Sequence, residues 1–301
     1  MLNTSNKIKL ILFPVLALIL FSPSVLANKL SCNIDSIDKF IEAKNIIFID
    51  ISTHKSKKWA KNYFKAYKDP SSIQEKYKKK FLANIDVQFD NELECTFPSK
   101  IRINGDHKDH LDSAPPITSL DVELLAGNIN SVIKFKLFIP HTKGGYHAKG
   151  GNNEVFSTAL LKELGFLAPR TYHVPAVFNG LETTFLFQEK ITKEFIELND
   201  LREAPILEGD ERFIWSNDMD GFDIFGLARI INNKWAEKGY TSLNISKTAL
   251  TQLNKAYLEY VSGKHIYTNL NDRFLNLNTL TNGNSIDKDR EFKAILVAMG
   301  A

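Results

Sequence analysis

Only two cysteines, Cys32 and Cys95, occur in the 301 residues, and neither stands in a CxxC or Cys/His spacing that would hold zinc. Internal repeats and low-complexity tracts are absent, which excludes solenoids and compositionally disordered chains. No Walker or GxGxxG loop occurs: the paired glycines of Thr142 to Asn152 (TKGGYHAKGGN) fit neither pattern and read as a flexible connection. Asp218-Met219-Asp220-Gly221 lacks the later ligands of an EF-hand loop and differs from a kinase metal motif, so it reads as the start of a helix. One-sided charge is missing too. The net charge is +3, and removing Lys7 and Lys9 with the first 27 residues, which hold no acid, leaves about +1. Bulk charge gives no reason to expect a polyanionic partner, and no nucleic acid is expected.

What is present begins with an export signal. Lys7 and Lys9 form a basic n-region, Leu10 to Phe21 an apolar h-region, and Val25-Leu26-Ala27 a cleavage site, so residues 1–27 read as a signal peptide. The apolar stretch is short for a bilayer span and is interrupted by Pro14 and Pro23. No membrane span is expected after cleavage; an uncleaved signal anchor is the alternative. The expected location is the periplasm, the cell surface or the medium. In that setting Cys32 and Cys95 are candidates for a bridge, with two unpaired small hydrophobes as the alternative.

The remaining length suits one large domain, or one with a small addition. Ile46 to Ile51 reads as a buried strand. His54 to Phe81 is Lys-rich and helical, with Trp59, Tyr63, Phe64 and Tyr67 at three- and four-residue spacing, and Asp69-Pro70-Ser71-Ser72 divides it into two helices. A basic, aromatic stretch has the composition of a nucleic-acid contact, but a solvated helix with its aromatics turned to the core is the preferred reading. Ile85 to Phe89, Lys100 to Ile103, Leu120 to Ala126 and Val132 to Ile139 read as strands. Asn152 to Ile191 is a capped helix with Phe156, Leu160 and Leu164 on one face, followed by a hairpin turning at Asn179-Gly180. Phe213 to Trp235, Lys247 to Val261 and Asp287 to Ala301 read as helices.

Two polar features carry possible chemistry. Asn104 to His110 (NGDHKDH) packs His107 and His110 with Asp106 and Asp109, which suits either a metal site or a hydrogen-bonded turn; such a loop could also lie over phosphates. Lys134 and Lys136 share one strand face while Phe135, Leu137 and Ile139 share the other. A lysine on an inner strand face requires a partner; an edge strand with both lysines in water is the alternative.

Arg102 to Asp106 followed by Asp109-His110-Leu111 resembles the RIRLKGDWxDHL segment of the CotH kinase family, the spore-coat protein H type with envelope and exopolysaccharide relatives. Phe135 to Lys143, Glu154 to Arg170, the hairpin Val177 to Ile191 and Arg202 to Glu211 resemble further family segments in the same order, covering roughly Ile46 to Glu211. The resemblance implies an α+β fold of atypical protein-kinase type, mainly the nucleotide-binding lobe, with residues 28–100 as an N-terminal extension and 101–301 as the kinase-like domain. It implies ATP and Mg²⁺ as cofactors and an exported protein as phosphate acceptor.

Carried over by position, Lys136 or Lys134 would neutralise the nucleotide phosphates and Glu154 would orient the lysine. The hinge would lie around Glu189, and Gly105 and Asp106 would cover the phosphates. The family's catalytic loop and acidic metal ligands would lie beyond Ala301, so a fragment inert by itself is expected. The rival expectation is a non-catalytic scaffold of the envelope or of its polysaccharide-assembly machinery.

Overall fold

The computed structural model describes residues 30–33, 45–140, 151–163, 167–209 and 228–261. The signal segment, most of the glycine-rich connection, the Asp218 to Gly221 turn and the helix expected at 287–301 lie outside the described residues.

Alternation of apolar and polar residues sets most of the strands. β1 (Ser31–Cys32), β2 (Ile46–Thr53), β3 (Phe81–Phe89), β4 (Glu94–Ile103), β5 (Leu120–Leu124), β6 (Lys134–Phe138), β7 (Thr171–Phe178) and β8 (Leu181–Glu189) form one sheet. Its order is β1-β4-β3-β2-β7-β8-β6-β5, and β5 returns to pair with β4. Strands β2 to β8 therefore close a seven-stranded barrel. Every seam is antiparallel except β2–β7, where Ile49 lies beside Ala176 and Ile51 beside Phe178 in parallel. The turn between β7 and β8 is the expected one, with Asn179 at φ 49° and Gly180 at φ 85°.

Buried rings fill the core: Phe97, Phe135, Phe178, Phe185 and Phe187 are all essentially inaccessible. The barrel is a packed core, not a ligand cup. Cys32 and Cys95, directly opposed on β1 and β4, are joined by a disulfide that ties the N-terminal strand to the barrel.

Helix α1 (Ser56–Lys68) lies on the barrel through Trp59, Tyr63 and Ala66. The Trp59 ring meets Phe81 and Phe178 edge-on at 5.1 and 5.4 Å. The second helix expected after the Asp69-Pro70 break is one 3₁₀ turn, Glu75–Tyr77, and β3 begins soon after. Helix α2 (Asn152–Glu163) forms as expected, but it has no buried side chain and Phe156 is 64% exposed. Short elements follow, α3 (Lys193–Leu198), the paired strands β9 (Leu207–Gly209) and β10 (Ala228–Ile230) and α4 (Asn233–Ala236), and then the long helix α5 (Tyr240–Val261).

The α+β kinase-like architecture is overturned: the described residues are built around a closed seven-stranded barrel with a few helices. The reason lies in strand pairing. β2 and β3, assigned to an extension, supply neighbours for both ends of the run β4-β5-β6-β8-β7 and close it. The boundary expected at residue 100 falls inside β4, whose two halves pair with β3 continuously.

Candidate functional site

The residues singled out in sequence lie on β6, at the end of β8, at the start of α2 and in the loop after β4. Lys134 and Lys136 point out of the barrel while Phe135 and Leu137 fill it, and β6 is flanked by β5 and β8, so it is not an edge strand. Lys134 lies 3.9 Å from Glu123. Lys136 is opposed by Asp121 on β5 and Gln188 on β8, with its ammonium 5.5 Å from the Phe138 ring. Asp121 is buried, which opposes its ionised form. Lys190 and Arg102, both hydrogen-bonded to it at 2.7 to 3.1 Å, outweigh burial and hold its pKa below the ordinary carboxylate range.

Glu189 is 5% exposed and accepts from the Arg170 guanidinium at two oxygens, each at 3.2 Å. Glu154 is exposed in the first turn of α2, where acidic residues complement the helix dipole. Thus Lys134 meets Glu123, and Glu189 meets Arg170.

The NGDHKDH loop is committed to holding α1. Asp106 pairs with Lys78, and its carbonyl accepts from the Ile73 N–H at 2.7 Å. Lys108 donates to the Ala66 carbonyl, one of the last carbonyls of α1, and burial pushes its pKa down. The Tyr63 hydroxyl donates to the Asp112 carbonyl. Gly105, at φ 94°, passes so close to His110 that an added Cβ would lie 1.8 Å from the ring. His110 bonds Ser119 at 3.0 Å, and Ser119 accepts from the Ile139 N–H while buried. That serine is presented to no substrate. Among the described residues no three His, Cys, Asp or Glu side chains gather to hold a metal, so the metal reading of this loop finds no geometry.

The groove that could bind a partner lies on the other side of α1. Trp59, Tyr63 and Ala66 face the barrel, whereas Lys55, Lys58, Asn62 and Lys65 form the next stripe around the helix and one wall of a groove. The opposite wall is Lys76, Lys79 and Lys80, with Tyr77, Phe81 and Leu82 between them. With Lys61, seven lysines line a space of about 710 Å³. Asn62 ties the walls together by donating to the Tyr77 carbonyl at 2.7 Å.

A shallower depression continues it past Lys65 to Lys68 and Asp69. Asp69 is the only carboxylate lining either, and it is already engaged. It accepts from Ser71, from the Tyr77 hydroxyl at 2.7 Å and from Lys76 at 3.1 Å, which together hold its pKa far below the usual range. On the second wall Lys80 reaches out of the groove, to Glu123 at 2.7 Å.

In sequence this lysine run has the composition of a solvated helix, and its charge is lost in the net charge of the whole chain. The signal that locates the groove is the spacing of Lys55, Lys58 and Lys65 beside the later Lys76-Tyr77-Lys78-Lys79-Lys80 run. The two runs become opposite walls only because Pro70 turns the chain back into β3.

No family model matches the chain, and no curated protein matches it.

Proposed function

We propose that this protein is an exported, non-catalytic binding module of the cell envelope whose lysine groove holds a single chain of an acidic polysaccharide. The observation that carries the reading is the concentration of seven lysines on two facing walls lined by no carboxylate, with the one carboxylate of the adjoining depression, Asp69, locked to Ser71, Tyr77 and Lys76. Ammonium groups so placed focus a positive field into a concave space and attract a polyanion. The lysine stems and the Tyr77, Phe81 and Leu82 side chains supply apolar surface below the charges, which suits the alternating polar edges and apolar faces of sugar rings.

Single-stranded nucleic acid is the competing polymer. Binding it relies on free aromatic faces and on arginine. No arginine lines the groove; Lys76 covers the Tyr77 ring at 4.8 Å, and Phe81 packs against Trp59. The resemblance that implied phosphotransfer also implied an α+β nucleotide-binding lobe, which these strands do not form.

The test is titration of the chain beginning at Asn28 with polygalacturonate, neutral dextran and single-stranded DNA, for wild type and for Lys58→Glu/Lys79→Glu. Polygalacturonate is expected to bind in low salt, to weaken steeply as salt rises and to lose at least tenfold in the variant. Both substituted residues are exposed, so folding is retained. Absence of polyanion binding, or a variant that binds like wild type, overturns the proposal. Tighter binding of DNA overturns the polysaccharide assignment.

A further inference from the structure

Helix α1 carries a third stripe, directly opposite the one that packs on the barrel. Trp59, Tyr63 and Ala66 are spaced four and three apart and are buried; Lys57, Lys61, Phe64 and Lys68 are spaced four, three and four apart and are exposed. At 100° per residue these stripes lie on opposite sides of the helix. Phe64 thus stands on the ridge farthest from the core, 48% exposed, with lysines on either side along the ridge. Tyr67, 40% exposed, is close by, and the thirteen residues of α1 contain no acid.

A lone exposed apolar ring is ordinary. A ring at the apex of a purely basic ridge is different, because the surroundings select what can cover it. A protein groove would have to bury Phe64 together with several ammonium groups, which is costly without matching carboxylates. A flat anionic surface meets the lysines at its headgroups and takes the ring into the acyl boundary, while the long lysine stems keep their charges at the interface.

We infer that the α1 ridge seats the protein on an anionic lipid surface. The depression between Lys61, Lys65, Lys68 and Tyr77 lies beside the Phe64 ring and gives a headgroup phosphate three ammonium partners; its one carboxylate, Asp69, is already held by Lys76 and the Tyr77 hydroxyl. Contact is peripheral: among the described residues no helix is long and apolar enough to cross a membrane. The inference does not rest on the polysaccharide reading: Lys61, Lys65 and Tyr77 line both the groove and the depression, but Phe64, Lys57 and Lys68 do not line the groove, and Lys76, Lys79 and Lys80 take no part in the ridge.

The experiment is sedimentation of the chain beginning at Asn28 with phosphatidylcholine vesicles, with and without 30 mol % (roughly one third) phosphatidylglycerol, at low salt. Wild type is expected to bind the anionic vesicles only. Phe64→Ala should weaken that binding about tenfold and Lys57→Glu at least fivefold, with polygalacturonate affinity unchanged in Phe64→Ala. Phe64→Trp should retain binding and lose fluorescence to brominated acyl chains.

Equal binding to both vesicle types, or wild-type binding by Phe64→Ala, overturns the inference. So does loss of vesicle binding in Lys79→Glu/Lys80→Glu with none in Phe64→Ala, since that result moves the lipid contact to the groove. Failure to bind polygalacturonate with vesicle binding intact would sink the polysaccharide reading alone.

Discussion

Arg170 closes over Glu189, its guanidinium meeting both carboxylate oxygens while the Arg170 N–H also approaches one of them at 3.3 Å. The same Nη2 that meets one Glu189 oxygen also donates to the Asn130 carbonyl at 2.8 Å, so the pair joins the end of β8 to the loop before β6. Removing only the cation leaves a buried carboxylate without its partner. Arg170→Ala is expected to lose about 3 kcal/mol of stability, and Arg170→Ala with Glu189→Leu to recover much of it. Urea unfolding monitored by tryptophan fluorescence checks both.

Gly105 and His110 form a second tight relationship. Any side chain at residue 105 meets the imidazole and must also adopt φ 94°. Gly105→Ala should cost about 2 kcal/mol or more, and adding His110→Ala should relieve the steric part and leave the backbone part. A Gly105→Ala protein as stable as wild type would contradict the packing described.

His110 also gives an acid dependence of known sign. Burial lowers its pKa below the ordinary 6.5, with Lys136 and His107 acting in the same direction and Asp109 and Asp106 against it. Unfolding restores the ordinary value, so between the two values the unfolded chain binds more protons. The corresponding stability is fully present above about pH 6.5 and is lost as pH falls through the lowered value. The urea midpoint should drop between pH 7 and pH 5 more steeply in wild type than in His110→Asn.

The Cys32–Cys95 bridge closes a loop with a sequence separation of 63. In the chain-entropy account a loop of this length contributes about 4 kcal/mol. Reduction, or Cys32→Ser/Cys95→Ser, should lower the melting temperature while leaving the β-rich circular dichroism at low temperature. A reductant-insensitive melt would show that β1 is dispensable.

The local elements were largely legible in the sequence because short-range physics sets them. The alternation in Ile85 to Phe89, the Asn179-Gly180 turn and the aromatic stripe of α1 each fix one element without reference to the rest. Closure was not legible. Nothing in Ile46 to Thr53 announces that its second edge will accept Thr171 to Phe178 in parallel. The order of motifs suggested a lobe, whereas the pairing of distant edges produced a barrel. The loop at Asn104 to His110 illustrates the same limit: its residue types suit metals, phosphates and turns alike, and only the arrival of α1 decides among them. The groove is not legible in the net charge of the chain, because its walls are made from runs that meet only in space.

The single parallel seam between β2 and β7 also bears on how the barrel assembles. The β2–β3, β3–β4, β4–β5, β5–β6 and β7–β8 ladders each join strands next to one another along the chain, and can zip with short loops to close. β2 must wait for a partner that follows in sequence after every strand from β3 to β6. Until then both sheet margins offer unpaired N–H and C=O groups to any other extended chain. High contact order of this kind slows folding and lengthens that exposure. Closure of one three-residue seam is therefore what separates a self-contained barrel from a sheet open to polymerisation.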